Sequence, residues 1–417
     1  MTAVEFLFSL ERFGMKFGLA NIARLCAALG HPEISFPSVI VGGTNGKGSV
    51  TAMVDAAVRA AGHLCARYTS PHLVRIEERF VIDGKEVSPA QLENAAARVR
   101  QAAEDLVASG ELETLPTFFE ATTAAAFVLF RDAGVKLAIL EVGLGGRLDA
   151  TNIVTPVAAA IVSIDVDHQA QLGESIASIA AEKAGIIKPG IPIVCGPVPD
   201  VALAVIEAVC RERHATLVRT DLDGRLEARV AAIPLSLGGA HQRTNAAVAL
   251  KLLDLLDEDP TLALPIGADA ARRGLSNTAW PGRIETFNAA GCKVVLDAAH
   301  NPAGARALAS YLRDTEPAGV TLVFGAMRDK EIAAMLSALG PTALSVICTT
   351  APGPRAATAD ELKAIASQVS RHVDAIADPI EALRRACSRG QTVVVAGSIF
   401  LIGPVRAQLA RDILRSS

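Results

Sequence analysis

Short apolar runs alternate with longer Ala-rich stretches along most of the chain. The runs at 38–42, 64–68, 137–142, 157–164, 192–195 and 215–219 read as strands. Between them, 49–61, 89–109, 118–133, 176–187 and 201–213 carry the spacing of helices. A βαβ rhythm of this kind predicts a mostly parallel sheet covered on both faces. The pattern changes at 225–235, which reads as a hairpin or edge element, and helices follow at 241–256 and 268–275. Trp280-Pro281-Gly282-Arg283 then breaks the pattern, because Pro and Gly both interrupt regular structure. A second βα series follows, with strands at 293–297, 320–324, 343–349 and 392–396 and helices at 302–314, 330–339, 360–370, 379–388 and 400–415. The expectation is an α/β chain of two domains, 1–284 and a smaller 285–417.

Composition narrows the function. Hydrophobic residues at 51% and charged residues at 20% mark a globular chain. A net charge of −4 without any Lys/Arg block argues against nucleic acid as a partner, so an anionic ligand must be held by local groups. Seven cysteines without a C-x-x-C pair favour free thiols in a reducing compartment. The start of the chain lacks the basic residues of a signal peptide, and no apolar run is long enough to span a bilayer. A cytoplasmic protein with no membrane partner is expected, and a monomer, since no apolar seam stands out.

The strongest chemical signal is Gly43-Thr44-Asn45-Gly46-Lys47-Gly48-Ser49, between a predicted strand and a predicted helix. Glycines let several backbone N–H groups point at one phosphate, and the helix N-terminus adds positive potential. Lys47 can neutralise phosphate oxygens, and Ser49 or Thr51 can face a metal or phosphate. The strict Walker template would place Gly where Val41 stands and a hydroxyl where Gly48 stands, so the match is to a variant loop. An ordinary Gly-rich turn is the competing reading.

Further candidates follow other strands, where open α/β sheets bind ligands. Glu141, before the Gly-rich turn 143–147, can hold Mg2+, although a capping or paired glutamate competes. Asp165, Asp167 and His168 follow 159–164, and a structural His168 is the simpler reading. Lys183 ends a helix, where a lysine is ordinarily a dipole partner. Asp297 could accept from ribose hydroxyls and His300 could approach a phosphate, while Asn301 and Pro302 fit helix capping.

Together these pieces resemble the folylpolyglutamate synthase/dihydrofolate synthase family of the Mur ligase superfamily, from about Gly18 to Arg406. The motifs that carry the likeness are 43–49, Thr69-Ser70-Pro71-His72-Leu73, 141–152, 165–168, 182–186, His241-Gln242 with Asn245, Pro281-Gly282-Arg283, 297–302 and 396–403. The resemblance implies a P-loop-type first domain, a Rossmann-like second domain and an active site in the cleft between them. It implies ATP contacts from the loop residues Gly43, Thr44, Asn45, Gly46, Lys47, Gly48 and Ser49 and from Asn245, Arg283 and Asp297. It also implies a magnesium shell of Ser70, Glu141 and His168 holding two Mg2+, and a carboxylated Lys183 as a further oxygen ligand. His300 resembles a residue near the transferred phosphate. Thr117, Leu148, Asp149 and Ala150 match the pterin-binding region, and segment 17–20 is similar to one covering the same pocket. Mur peptidoglycan ligases carry a domain before the loop, whereas 42 residues precede Gly43 here, which favours the folate branch. Phe400, in place of a tyrosine, and 169–173, without an aromatic residue, depart from the family pattern.

The reaction implied is ATP-dependent ligation of L-glutamate to dihydropteroate or a reduced folate through an acyl phosphate. The alternatives are a Mur-type amide ligase with another substrate and a P-loop ATPase without ligation.

Overall fold

The computed structural model describes residues 1–14, 18–221, 223–289, 291–390 and 392–416. The chain divides into two compact units. One is Met1–Ser236 with Arg243–Thr278, the other Leu237–Gln242 with Ala279–Ser417.

The first unit is built on eight strands: β1 (Ser38–Gly42), β2 (Cys65–Tyr68), β3 (Phe80–Ile82), β4 (Lys85–Glu86), β5 (Leu137–Glu141), β6 (Ala158–Ile161), β7 (Ile193–Cys195) and β8 (Leu217–Arg219). Their order is β4-β3-β2-β5-β1-β6-β7-β8, with β1 central between β5 and β6. All pairings are parallel except the β2–β3–β4 edge. β1 and β5 are buried along their whole length, as a sheet covered on both faces requires.

The second unit adds β9 (Glu285–Ala289), β10 (Cys292–Leu296), β11 (Val320–Phe324), β12 (Ala343–Cys348), β13 (Val373–Ala375) and β14 (Val393–Ala396), ordered β13-β12-β11-β14-β10-β9. Only β9 is antiparallel. Each unit has its own apolar core.

Two mainly parallel α/β sheets match the expected fold class. The hairpin or edge element expected at 225–235 is instead a helix, Gly224–Ala231. Asp223 caps it by accepting from the backbone N–H groups of Arg225 and Leu226, and Leu226 and Val230 bury one turn apart. The β3–β4 hairpin and the strands β9 and β13 lie outside the expected elements. The break at 280–283 falls just inside the stretch that opens at Ala279. Among the described residues no helix is long and apolar enough to cross a membrane.

Candidate functional site

The loop after β1 runs into the helix Lys47–Ala60, which buries its first turns. Gly46 takes φ +82, and a Cβ there would collide with the Asn245 side-chain oxygen and come within 2.7 Å of Val162 Cγ1. Glycine is therefore required by both conformation and space. The residues after β6 fasten the loop. Thr44 N donates to Ser163 O at 2.8 Å, and Asn45 N donates to Ser163 Oγ at 2.9 Å. Thr44 Oγ1 donates to Asp165 O at 3.1 Å and accepts from Asp165 N at 3.0 Å. Ser163 carries no signal in the sequence, because only the β1–β6 pairing brings it to the loop. Ser49 and Thr51 are buried in the helix.

Lys47 folds back over this loop. Its Nζ donates to Gly43 O at 3.0 Å and to Thr44 O at 3.2 Å. Lys183, in the last turn of the helix Ile176–Ala184, is 4% exposed, and its Nζ donates to the same Gly43 oxygen at 3.0 Å. Burial foremost, then the Lys47 charge, pushes Lys183 down to about 7, against the pull of Asp167 and Asp149. The structure thus joins two lysines 136 positions apart in sequence at one glycine-rich turn.

β2 and β5 are neighbours, so their ends meet. Glu141, buried at the end of β5, accepts from Ser70 N at 3.1 Å. A carboxylate and a hydroxyl are hard oxygen donors of the kind that suits Mg2+, which commonly takes one or two carboxylates and fills its shell with phosphates and water. His168 lies after β6 with φ +52, exposed, with its N–H donating to Asp167 Oδ1. Among the described residues no three His, Cys, Asp or Glu side chains form a ready metal nest.

Thr117 caps the helix Phe118–Ala133. Its hydroxyl accepts from Glu120 N and donates to Glu120 Oε2. Asp149 is buried and accepts from Gly143 N, Leu144 N, Thr151 N and Thr151 Oγ1, so it ties the Gly-rich turn to the segment behind it. Burial pushes its carboxyl up, and those hydrogen bonds oppose the shift. Leu148 is half-buried and Ala150 buried beside it. Residue 17 of the expected covering segment lies outside the described residues.

In the second unit Asp297 and His300 follow β10. Asp297 is 7% exposed, with Oδ2 accepting from Ile284 N at 3.0 Å and Oδ1 from Ala299 N at 2.9 Å. Burial pushes its carboxyl up, and the Arg283 charge pulls it back. Arg283 is half-buried, and His300 Nδ1 lies 2.9 Å from Ala298 O. Asn301 caps the helix Pro302–Thr315 by accepting from Gly304 N, with Pro302 at its first position, so the capping reading holds. Gly325 and Gly397 abut at the ends of neighbouring β11 and β14. Polar Arg328, Asp329 and Lys330 follow that glycine. This strand-end segment is absent from the sequence-based candidates, although an apolar run followed by Gly and charged residues could have flagged it.

Residues 282–399 match the family described as Mur ligase, glutamate ligase domain, which places the second unit in the Mur ligase class. The dihydrofolate synthase/folylpolyglutamate synthase of Bacillus subtilis is 34% identical over 421 residues, 95% of this chain and 96% of that one. The chain belongs to the dihydrofolate synthase/folylpolyglutamate synthase family. A solved structure of Escherichia coli FolC in complex with DHPP and ADP has a TM-score of 0.87 at 30% identity, covering 100% of this chain and 99% of that one. A bifunctional folylpolyglutamate synthase/dihydrofolate synthase with Mn, AMPPNP and L-glutamate bound has a TM-score of 0.84 at 32% identity, covering 98% of each chain. The chain spans about half, 51%, of two curated relatives from Haloferax volcanii and Halobacterium salinarum, each described as a probable bifunctional folylpolyglutamate synthase/dihydropteroate synthase.

Proposed function

We propose that this chain ligates L-glutamate to the carboxylate of dihydropteroate, of a reduced folate, or of both, consuming ATP. The observation that carries the reading is the meeting of Lys47 and Lys183 on the Gly43 carbonyl of a glycine loop at a helix N-terminus. That turn offers backbone N–H groups and cationic charge to a polyphosphate. The relatives bound to ADP, AMPPNP, DHPP and L-glutamate support the same substrates here.

In this reading the loop 43–49 and Lys47 hold the triphosphate, with Asn245 against Gly46. Arg283, Asp297 and His300 are the second unit's contributions to nucleotide and transferred phosphate. Ser70, Glu141, His168 and a carboxylated Lys183 are the groups that would hold two Mg2+, whose charge would offset that of the phosphates. Thr117, Leu148, Asp149 and Ala150 frame the pterin side, with Asp149 and Thr117 setting backbone shape through the bonds described above. The domain boundary in this reading falls at 284/285.

A free carboxylate is a poor acyl donor because its leaving group would be oxide. Phosphorylation of that oxygen by ATP releases ADP and makes phosphate the leaving group. The glutamate amine then attacks the acyl carbon, loses a proton, and the amide forms as phosphate departs. Lys47 stabilises the moving charge by position and electrostatics. Free thiols at all seven cysteines fit a reducing cytoplasm, and the working form is a monomer.

The test is product mass after incubation with ATP, Mg2+, L-glutamate and either pteroate or folate acceptor. One added glutamyl residue per ADP released is expected. ATP turnover without either organic substrate, and with no glutamylated product, would establish the ATPase reading instead. Product only with another acid or amine would place the chain elsewhere among amide ligases.

A further inference from the structure

Arg283 sits in a turn of unusual backbone. Gly282 has φ +70 and Ile284 has φ +50, a left-handed conformation that a β-branched residue adopts only under constraint. Four hydrogen bonds supply that constraint. Ile284 N donates to Asp297 Oδ2, and Ala298 N donates to Gly282 O at 2.9 Å. Gly282 N donates to Glu285 Oε2 at 2.9 Å, and Arg283 donates to Gly282 O at 3.2 Å. Asp297 is anchored by burial, but Glu285 is at the start of an edge strand with its side chain 22% exposed. What fixes the Glu285 carboxylate is Arg406, in the helix Ile399–Ser416, whose Nε straddles it at 3.1 Å to Oε1 and 2.9 Å to Oε2.

We infer that Arg406 is a positioning residue: through Glu285 it holds the strained turn that aims Arg283. The consequence for ligand affinity rests on reading Arg283 as a nucleotide contact. Without Arg406, Glu285 has solvent as an alternative partner, Gly282 N loses a fixed acceptor, and the left-handed Ile284 can relax. The clamp and the aimed side chain are separated by the strand start, so a substitution at 406 reaches the nucleotide only through the turn.

Hydrogen exchange at the Gly282 and Ile284 amides of the full chain, with Kd for ADP by calorimetry, tests this. Arg406→Ala is expected to speed exchange at both amides and to weaken ADP roughly tenfold, the scale of removing one charge-assisted hydrogen bond. Glutamate affinity should stay within about twofold. Arg406→Lys should recover part of that affinity, and Glu285→Gln, which keeps an acceptor for Gly282 N, should be milder than Glu285→Ala. In an Arg283→Ala background, adding Arg406→Ala should weaken ADP no further. Unchanged exchange in folded Arg406→Ala overturns the inference, as does a fully additive effect in the double variant. Should Arg406→Ala fail to fold, Arg406→Lys and Glu285→Gln carry the same measurements. Wild-type ADP affinity in Arg283→Ala alone would overturn the nucleotide-contact reading, while exchange still decides the clamp.

Discussion

Burial strips water from the Lys183 amine, the Lys47 charge on the same carbonyl oxygen adds to the cost, and the buried amine gives way. Lys183 loses its proton near pH 7 in the folded chain against an ordinary value of 10.5. Between those values the unfolded chain binds the extra proton, so this site's contribution to stability rises with pH across that window and is lost as pH falls through about 7. A neutral amine can also add carbon dioxide: the N–C bond forms, a proton leaves, and a carbamate anion replaces a would-be cation beside Lys47. With labelled bicarbonate, a carbamate carbon signal is expected at pH 8, fading as pH drops below about 7 and absent from Lys183→Arg. Failure to see it in wild type at pH 8 would remove the carboxylated lysine from the site. Lys47 makes a different prediction. It is half-buried and contributes loop hydrogen bonds rather than core, so Lys47→Ala should keep its fold while turnover drops by roughly 10²–10³, the scale of one missing electrostatic stabiliser. Glutamate-dependent phosphate release near the wild-type rate in that variant would refute its role.

At the scale of elements, the glycine loop 43–49 is held by its neighbours. β1 delivers Gly43, the residues after β6 grip Thr44 and Asn45, and the helix Ala240–Glu258 closes on Gly46 through Asn245. Gly46→Ala combines a left-handed backbone with a collision, and the expected cost is roughly 2–5 kcal/mol with loss of ADP binding, read by denaturant unfolding and calorimetry. A Gly46→Ala chain as stable as wild type would contradict this packing. The same loop separates what is legible in the sequence from what is not. The loop, Glu141 at a strand end and the Asn301-Pro302 cap are local signals, each fixed by residues a few positions apart. Ser163, the Lys47–Lys183 meeting and the Glu285–Arg406 pair depend on strands and helices far apart in sequence. The helix within 225–235 is legible in retrospect, since Leu226, Val230 and Ile233 recur at i, i+4 and i+7, the spacing of one helical face. The cap at Asp223 also favours the helix.

Across the whole molecule, a chain of net charge −4 must hold a ligand of several negative charges. Its overall field does not attract such a ligand, so in the proposed reading affinity comes from the loop N–H groups, from cations such as Lys47 and Arg283, and from the charge of a metal that Ser70 and Glu141 would hold. That division predicts how the intact protein responds to nucleotide. A ligand at one hundred times its Kd stabilises the folded chain by about 2.7 kcal/mol, which thermal unfolding reads as an upward shift of a few degrees. With Mg2+ present, ADP should give that shift. With a chelator the shift should shrink strongly, because the phosphates then meet the Glu141 carboxylate, at the end of the strand that pairs with β1, without compensating charge. Glu141→Gln removes that repulsion and the metal ligand together, so its ADP shift should become small with Mg2+ and insensitive to the chelator. An ADP shift in the wild type that is the same with and without chelator would show that Ser70 and Glu141 hold no metal for the nucleotide, whatever the loop binds.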